Sequence, residues 1–395
     1  MKLTARRGKR GRAKAPAKPK VNKGAPLAFM LKGAALSVDR AAGELRRGLP
    51  VVVLPARGEA SIVASAELAH EAVIDAMALW AGAQAHVLLT HQRAATLKIR
   101  LYTEQVVAVA LPKDARVRAA HMLADPTRDM HDPLMGPWKA EREALSGAAL
   151  SSVQLAKIAG LLPAVLEVRI SRRKAQSLAA REGLASVTVD DVTAYCAHAS
   201  RSLTIVARAQ LPLEGAEDTR VLAFRPANGG REHLALIVGA PEPPGPVLVR
   251  LHSECLTGDL LGSLKCDCGD QLRGAVAAIG KTGAGILLYL AQEGRGIGLI
   301  NKLKAYELQD QGFDTIEANQ RLGFEADERE FAVAAEILKH LGFASVRLMT
   351  NNPDKVSALA AHEIEVIERV PHQFPSNPHN VRYIATKKAK AGHLT

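Results

Sequence analysis

The sequence predicts an α/β protein of two layered domains behind a basic tail. Three observations carry this expectation. The chain has 395 residues, more than one hydrophobic core usually serves. Short apolar runs alternate with stretches of helical periodicity. The pattern changes near Leu203, where a strand-rich segment begins. The expected parts are a disordered tail over 1–27, a first α/β domain over 28–202 and a second over 203–395.

The tail holds ten Lys/Arg and no acid between Met1 and Gly24. Setting those ten aside lowers the formal charge from +12 to +2, so the folded body is nearly neutral. A segment with so little to bury reads as a solvated extension, and contact with nucleic acid or an acidic partner is expected only there. No apolar run reaches the roughly 18 residues that span a bilayer. No apolar stretch follows the N-terminal basic residues, so the expectation is a cytoplasmic protein with no membrane partner.

In the first domain, periodicity predicts a helix over 38–49 and a buried strand over 50–55. A helix over 68–80 and a strand over 85–89 follow. Further on come a helix over 151–158, a strand over 164–170 and a helix over 187–199 with Asp190 and Asp191 near its start. The second domain opens with strands over 202–207, 221–224 and 233–238, the last two joined by the turn Ala227-Asn228-Gly229-Gly230. A proline-rich connector at 241–246 leads to a strand over 247–252, a helix near 271–279, a strand over 285–290 and a helix over 296–311. After a loop come a helix over 327–341, a strand over 346–350, a helix over 353–362 and a strand over 364–370.

Chemistry concentrates in the second domain. Three of the four cysteines, Cys255, Cys266 and Cys268, fall within fourteen residues, which argues for metal rather than disulfides. Three thiolates with a fourth position open suit a catalytic zinc that activates water. His252 is a candidate fourth ligand, or a substrate group. Glu293-Gly294-Arg295-Gly296-Ile297-Gly298 lies between a strand and a helix, where backbone N–H groups and an Arg fork suit phosphate. Asp327-Glu328-Arg329 opens the helix predicted over 327–341, where acids cap the N-terminus in any case. Asn351-Asn352-Pro353-Asp354-Lys355 again sets a Lys at a helix start. Taken together, these features point to a zinc hydrolase acting on a phosphorylated small molecule and do not choose the molecule.

The run Arg250-Leu251-His252-Ser253-Glu254-Cys255-Leu256-Thr257-Gly258-Asp259 closely resembles GTP cyclohydrolase II of riboflavin biosynthesis. The match continues through Cys266-Asp267-Cys268-Gly269, Gln292-Glu293-Gly294-Arg295, Ala326-Asp327-Glu328-Arg329, Thr350-Asn351-Asn352-Pro353 and Gly392-His393-Leu394. The resemblance implies zinc on Cys255, Cys266 and Cys268. It implies a GTP site of Arg250, Leu251, His252, Ser253, Glu254, Gln271, Glu293, Gly294, Arg295, Thr315, Thr350 and Lys355. It implies Asp327 as proton acceptor, Arg329 as the group attacking the α-phosphate and Tyr306 as an aid near the base. A homodimer, magnesium on the polyphosphate, and formate, pyrophosphate and a diaminopyrimidinone ribosylamino phosphate as products complete the implication. A guanidinium keeps its proton up to a pH above about 12 and is a poor nucleophile, so Arg329 is expected to clamp charge instead. The alternatives are a zinc-keeping paralogue acting on another nucleotide or in pyrimidine breakdown, and a non-catalytic regulatory or nucleic-acid-binding protein.

The order and length of the first domain resemble 3,4-dihydroxy-2-butanone 4-phosphate synthase. Its chemistry is missing. Where that family has an acidic run, this chain reads Pro55-Ala56-Arg57-Gly58-Glu59-Ala60-Ser61, and where it has a metal-binding histidine motif this chain reads Gly147-Ala148-Ala149-Leu150-Ser151. Without those groups magnesium has no cage and a sugar phosphate no base, so an inactive scaffold is expected.

Overall fold

The computed structural model describes residues 33–132, 136–142, 145–381 and 385. The basic tail, the Gly392-His393-Leu394 motif and residues 133–135 lie outside them. From Ala34 onward the chain forms one compact unit with two sheets, each a mixed α/β layer.

The first half runs α1 (Ala34–Leu45), β1 (Val51–Leu54), β2 (Glu59–Ser65), α2 (Glu71–Ala81), β3 (His86–Thr90), α3 (His91–Thr96), β4 (Val106–Ala110) and α4 (Arg116–Ala124). It continues with α5 (Ala149–Ile158), β5 (Ala164–Ser171), α6 (Arg172–Glu182), β6 (Ser186–Thr188) and α7 (Val189–Arg201). Helix α1 buries Val38, Ala41, Ala42 and Leu45, one face at helical spacing. Helix α7 is capped by Thr188, whose hydroxyl accepts from Asp191 N at 3.1 Å, and its acids sit in the first turn as expected. The six strands order as β4-β3-β5-β2-β1-β6. Alternation along β1 sends Val52 and Leu54 into one core and Val51 and Val53 into another, so both faces of this sheet are covered.

The second half runs β7 (Leu203–Gln210), β8 (Thr219–Pro226), β9 (His233–Val238), β10 (Val247–Ser253), α8 (Cys268–Thr282), β11 (Gly285–Leu290), α9 (Leu299–Asp310), α10 (Thr315–Arg321), α11 (Ala332–His340), β12 (Ser345–Met349), α12 (Pro353–Ala361) and β13 (Glu365–Val370). The sheet order is β13-β12-β10-β11-β9-β8-β7. Strands β10 to β13 are parallel, and β9, β8 and β7 extend the sheet antiparallel.

Several elements differ from expectation. Strands β2 and β4 and helices α3, α4 and α6 arise where no element was predicted, and β6 takes Val187 and Thr188 from the start of the helix expected over 187–199. Strand β2, Glu-Ala-Ser-Ile-Val-Ala-Ser, has a weak apolar pattern, and its burial comes from pairing between β1 and β5. Helix α10 replaces the expected loop, opened by a capping box in which Asp314 and Glu317 bond each other's backbone. The helix expected over 327–341 begins only at Ala332, so Asp327-Glu328-Arg329 caps no helix. Residues 325–331 instead have no regular structure and are held by groups elsewhere.

Candidate active site

Strand alternation sets up the site. On β10, Val247, Val249 and Leu251 enter the core shared with α11, while Arg250 and His252 face a cleft of about 1100 Å³ including its open mouth. The cleft lies beyond the C-terminal ends of the parallel strands β10, β11 and β12, where open α/β sheets bind ligands. Leu251 is therefore in the core, and only its carbonyl turns to the site, accepting from Lys355 Nζ at 2.8 Å.

The three cysteines converge at the cleft. Cys255 follows β10, and Cys266 and Cys268 bracket the start of α8. Their sulfurs lie within 4.8 Å of one another, with Cys255 and Cys266 at 3.8 Å. Gly258 packs against them so tightly that a Cβ there would stand 2.8 Å from Cys266 Sγ and 3.1 Å from Cys255 Sγ. Hydrogen bonds from Cys266, Cys268 and Lys302 pull the Cys255 thiol far down, whereas Cys266 and Cys268 are pushed up by their neighbours. Three thiolates at this spacing repel one another and require a cation between them.

His252 does not close that shell. Its Nε2 lies 3.1 Å from both carboxylate oxygens of Asp259, and its ring stacks on Tyr289 at 5.6 Å. Burial lowers its pKa despite the carboxylate beside it. Among the described residues no fourth His, Cys, Asp or Glu joins the three sulfurs. The donor set fits a zinc with an open position.

Glu293 and Lys302 tie the cysteine loop to the glycine turn. Buried Glu293 accepts from Leu256 N at 2.7 Å and from Lys302 Nζ at 2.8 Å, and Lys302 Nζ also lies 3.0 Å from Cys255 Sγ. Burial opposes the Lys302 charge, but its bonds to Cys255 and Glu293 outweigh that and raise its pKa. Lys302 stands one turn before Tyr306 on α9, and both line the cleft. The i, i+4 spacing to Tyr306 is the one sequence signal that marks Lys302.

The glycine turn is not a regular helix start. Gly294 and Arg295 are both left-handed, with φ of 64° and 61°, a conformation that costs Arg295 about 1 kcal/mol or more. Gly296 cannot carry a side chain, because its Cβ would meet Glu328 O at 2.6 Å. Glu328 N donates to Arg295 O at 3.0 Å, joining this turn to the 325–331 segment.

Arg329 lines the cleft and Asp327 stands behind it. Arg329 Nε reaches the two Asp327 oxygens at 2.8 and 3.1 Å. Burial raises the Asp327 pKa, but the hydrogen bonds and charge of Arg329 prevail and hold it below the usual carboxylate range. In this arrangement Asp327 is a weak base and a strong anchor for the guanidinium. Arg250 donates to Met349 O at 3.1 Å and to Gln271 Oε1 at 2.5 Å, and burial lowers its pKa to about 10. Ser253, Glu254, Gln271, Thr315, Thr350 and Lys355 all line the cleft, with Thr350 and Lys355 on either side of the Asn352 cap of α12. Asn351, at the helix start read from the sequence, also lines it, as do Lys265, Asn319 and His372, whose convergence no local pattern announces.

A family model described as GTP cyclohydrolase II matches residues 204–371. The chain is 48% identical over 375 residues to the GTP cyclohydrolase-2 of Azospirillum brasilense, covering 92% of this chain and 95% of that one. It is 56% identical over 193 residues to the GTP cyclohydrolase-2 of Pseudomonas paraeruginosa, covering 49% of this chain and 94% of that one. Among solved structures, a two-domain 3,4-dihydroxy-2-butanone 4-phosphate synthase from A. baumannii matches with a TM-score of 0.35 and 18% identity, across 85% of this chain and 99% of that one.

Proposed function

The chain belongs to the GTP cyclohydrolase II family, and from that premise we propose that it hydrolyses GTP to formate, pyrophosphate and a diaminopyrimidinone ribosylamino phosphate, the first step of riboflavin biosynthesis. One observation carries the reading: three convergent sulfurs with no fourth protein ligand among the described residues, in a cleft that also holds Arg250, Arg295, Arg329 and Lys355. Zinc on Cys255, Cys266 and Cys268 would supply a water activated near neutral pH. The side chains do the remainder. The cations Arg295, Arg329 and Lys355 suit the polyphosphate, aided by magnesium. Arg329, anchored by Asp327, stabilises charge on the α-phosphate rather than attacking it. Gln271 and Arg250, already bonded to each other, present a fixed polar wall to the guanine, and Tyr306 reaches it from α9. Leu251 contributes backbone alone. The enzyme acts as a cytoplasmic homodimer.

The 28–202 part is proposed to lack synthase chemistry. Between β1 and β2 the chain turns through Pro55-Ala56-Arg57-Gly58 with no carboxylate, and Gly147-Ala148 leads into α5 without a histidine. Among the described residues no cluster of three His, Cys, Asp or Glu ligands exists there. Purified protein with zinc, magnesium and GTP is expected to release formate and pyrophosphate, and with ribulose 5-phosphate to release no butanone phosphate. Turnover of another nucleotide but not of GTP would overturn the first expectation; butanone phosphate would overturn the second.

No helix among the described residues is long and apolar enough to cross a membrane.

A further inference from the structure

We infer that Lys157, in the first half of the chain, is a positioning residue for the cleft: through Glu328 it sets the segment that presents Arg329. The inference rests on the proposed reaction for its kinetic readout, and on geometry for everything else.

Residues 325–331 lie in neither helix nor strand, so no backbone ladder fixes their position. Glu328 stands between Asp327 and Arg329 and is held at both ends. Its backbone N–H donates to Arg295 O at 3.0 Å, within the glycine turn. Its carboxylate accepts from Lys157 Nζ at 2.6 Å, at the C-terminal end of α5. The same carboxylate accepts from Glu325 N at 2.8 Å, closing a small loop around itself. Moving Glu328 therefore moves the backbone of its neighbour Arg329 and the turn that carries Arg295.

The surrounding contacts make this end of α5 a firm support. Lys157 Nζ lies 5.8 Å from the centre of the Phe324 ring, and Phe324 is buried in a core that also holds Val87 and Leu162. Thr90 Oγ1 donates to Gly323 O at 2.8 Å, and Gln92 Nε2 to Glu325 Oε1 at 2.5 Å. Gly323 has φ of 87°, and a Cβ there would stand 2.9 Å from both Pro163 and Thr90 Oγ1, so the two halves meet without slack. Just beyond α5, Gly160 O accepts from Asn301 of α9 at 3.2 Å. An inactive first half thus has a reason to stay attached: it supplies the rigid side of a segment that lacks secondary structure of its own. Interactions of a partly exposed ion pair add little to global stability, so its loss should appear in placement rather than in folding.

The test compares Lys157→Met, Lys157→Arg and the charge-reversed pair Lys157→Glu with Glu328→Lys in the full chain loaded with zinc. Lys157→Met is expected to lower kcat for formate release about tenfold with KM for GTP within about twofold, and with zinc content and melting temperature unchanged. Lys157→Arg is expected to recover most of that loss, and the reversed pair only part of it, because an ammonium at position 328 cannot accept from Glu325 N. Hydrogen exchange at the Glu328 and Arg329 amides should quicken in Lys157→Met by about tenfold, with β10 and α8 unaffected. A wild-type kcat with unchanged exchange overturns the inference, as does a loss that follows zinc content or melting temperature. If the wild-type protein releases no formate from GTP, the proposed reaction fails, and the exchange measurement still decides the role of Lys157.

Discussion

Cys266→Ser is expected to lose zinc and formate release together. Zinc by elemental analysis is expected to fall from one per chain to near none after dialysis. The rate of formate release is expected to fall at least about a thousandfold, which is about 4 kcal/mol of barrier. The reason is local. The cluster holds three sulfurs, and no other His, Cys, Asp or Glu among the described residues is close enough to replace one. Gly258 leaves no room for the neighbouring loop to close in, because even a methyl group there would collide with the sulfurs. Replacing a thiolate by a neutral hydroxyl removes one of the three charges that would hold a divalent ion. Cys196, on α7 outside the cluster, provides the control, and Cys196→Ser should keep its zinc. Retained zinc with full activity in Cys266→Ser would refute the ligand assignment.

His86→Ala is expected to destabilise the chain by about 3 kcal/mol. Glu167 is fully buried on β5. Its carboxylate meets His86 Nε2 at 2.6 Å and accepts from Ser146 Oγ at 2.9 Å and from the Ser61 hydroxyl. Burial pushes the Glu167 pKa up, but the bonds to His86 and the two serines prevail and lower it, so the native state carries a buried charge. Removing the imidazole leaves that charge with hydroxyls and Arg169 at 3.5 Å. The melting temperature should fall by on the order of 4 °C. Adding Glu167→Gln to His86→Ala should restore part of the loss, since the amide needs no counter-charge; no restoration would show that the deficit is a packing cavity. The pH dependence has a definite sign. A depressed carboxylate contributes stability above its unfolded value of about 4.3, and that contribution is lost as pH falls through the lower native value. The gap between wild type and His86→Ala should therefore narrow below about pH 4.

The two halves of the chain were unequally legible. In the second half, the strands at β9, β10 and β11 stand close to where alternation and apolar runs put them, because both their faces are apolar or site-lining in a regular way. The cysteine cluster was readable because its ligands lie within fourteen residues, so one loop and one helix start bring them together. In the first half, β2 and the three helices α3, α4 and α6 were missed. Their sequences are short or rich in Ala, Arg and Ser, and they gain order from neighbours rather than from an amphipathic pattern of their own. The helix expected at 327 failed for the opposite reason. Acids that resemble an N-terminal cap are occupied elsewhere, Asp327 by Arg329 and Glu328 by Lys157.

By itself the sequence determined the α/β class, the triad of sulfurs, the glycine turn and the family resemblance, all of which rest on residues close together along the chain. Only the tertiary structure decided that His252 belongs to Asp259 and not to the metal shell, that Leu251 faces the core, that Lys302 stands against Cys255, and that Lys157 reaches Glu328 from 171 residues away. The physical reason is the range of the interactions. Side-chain periodicity and ligand spacing act over a few residues and leave a trace in order. A hydrogen bond or an ion pair acts over about 3 Å in space, and which groups come within that distance is fixed by how sheets and helices pack.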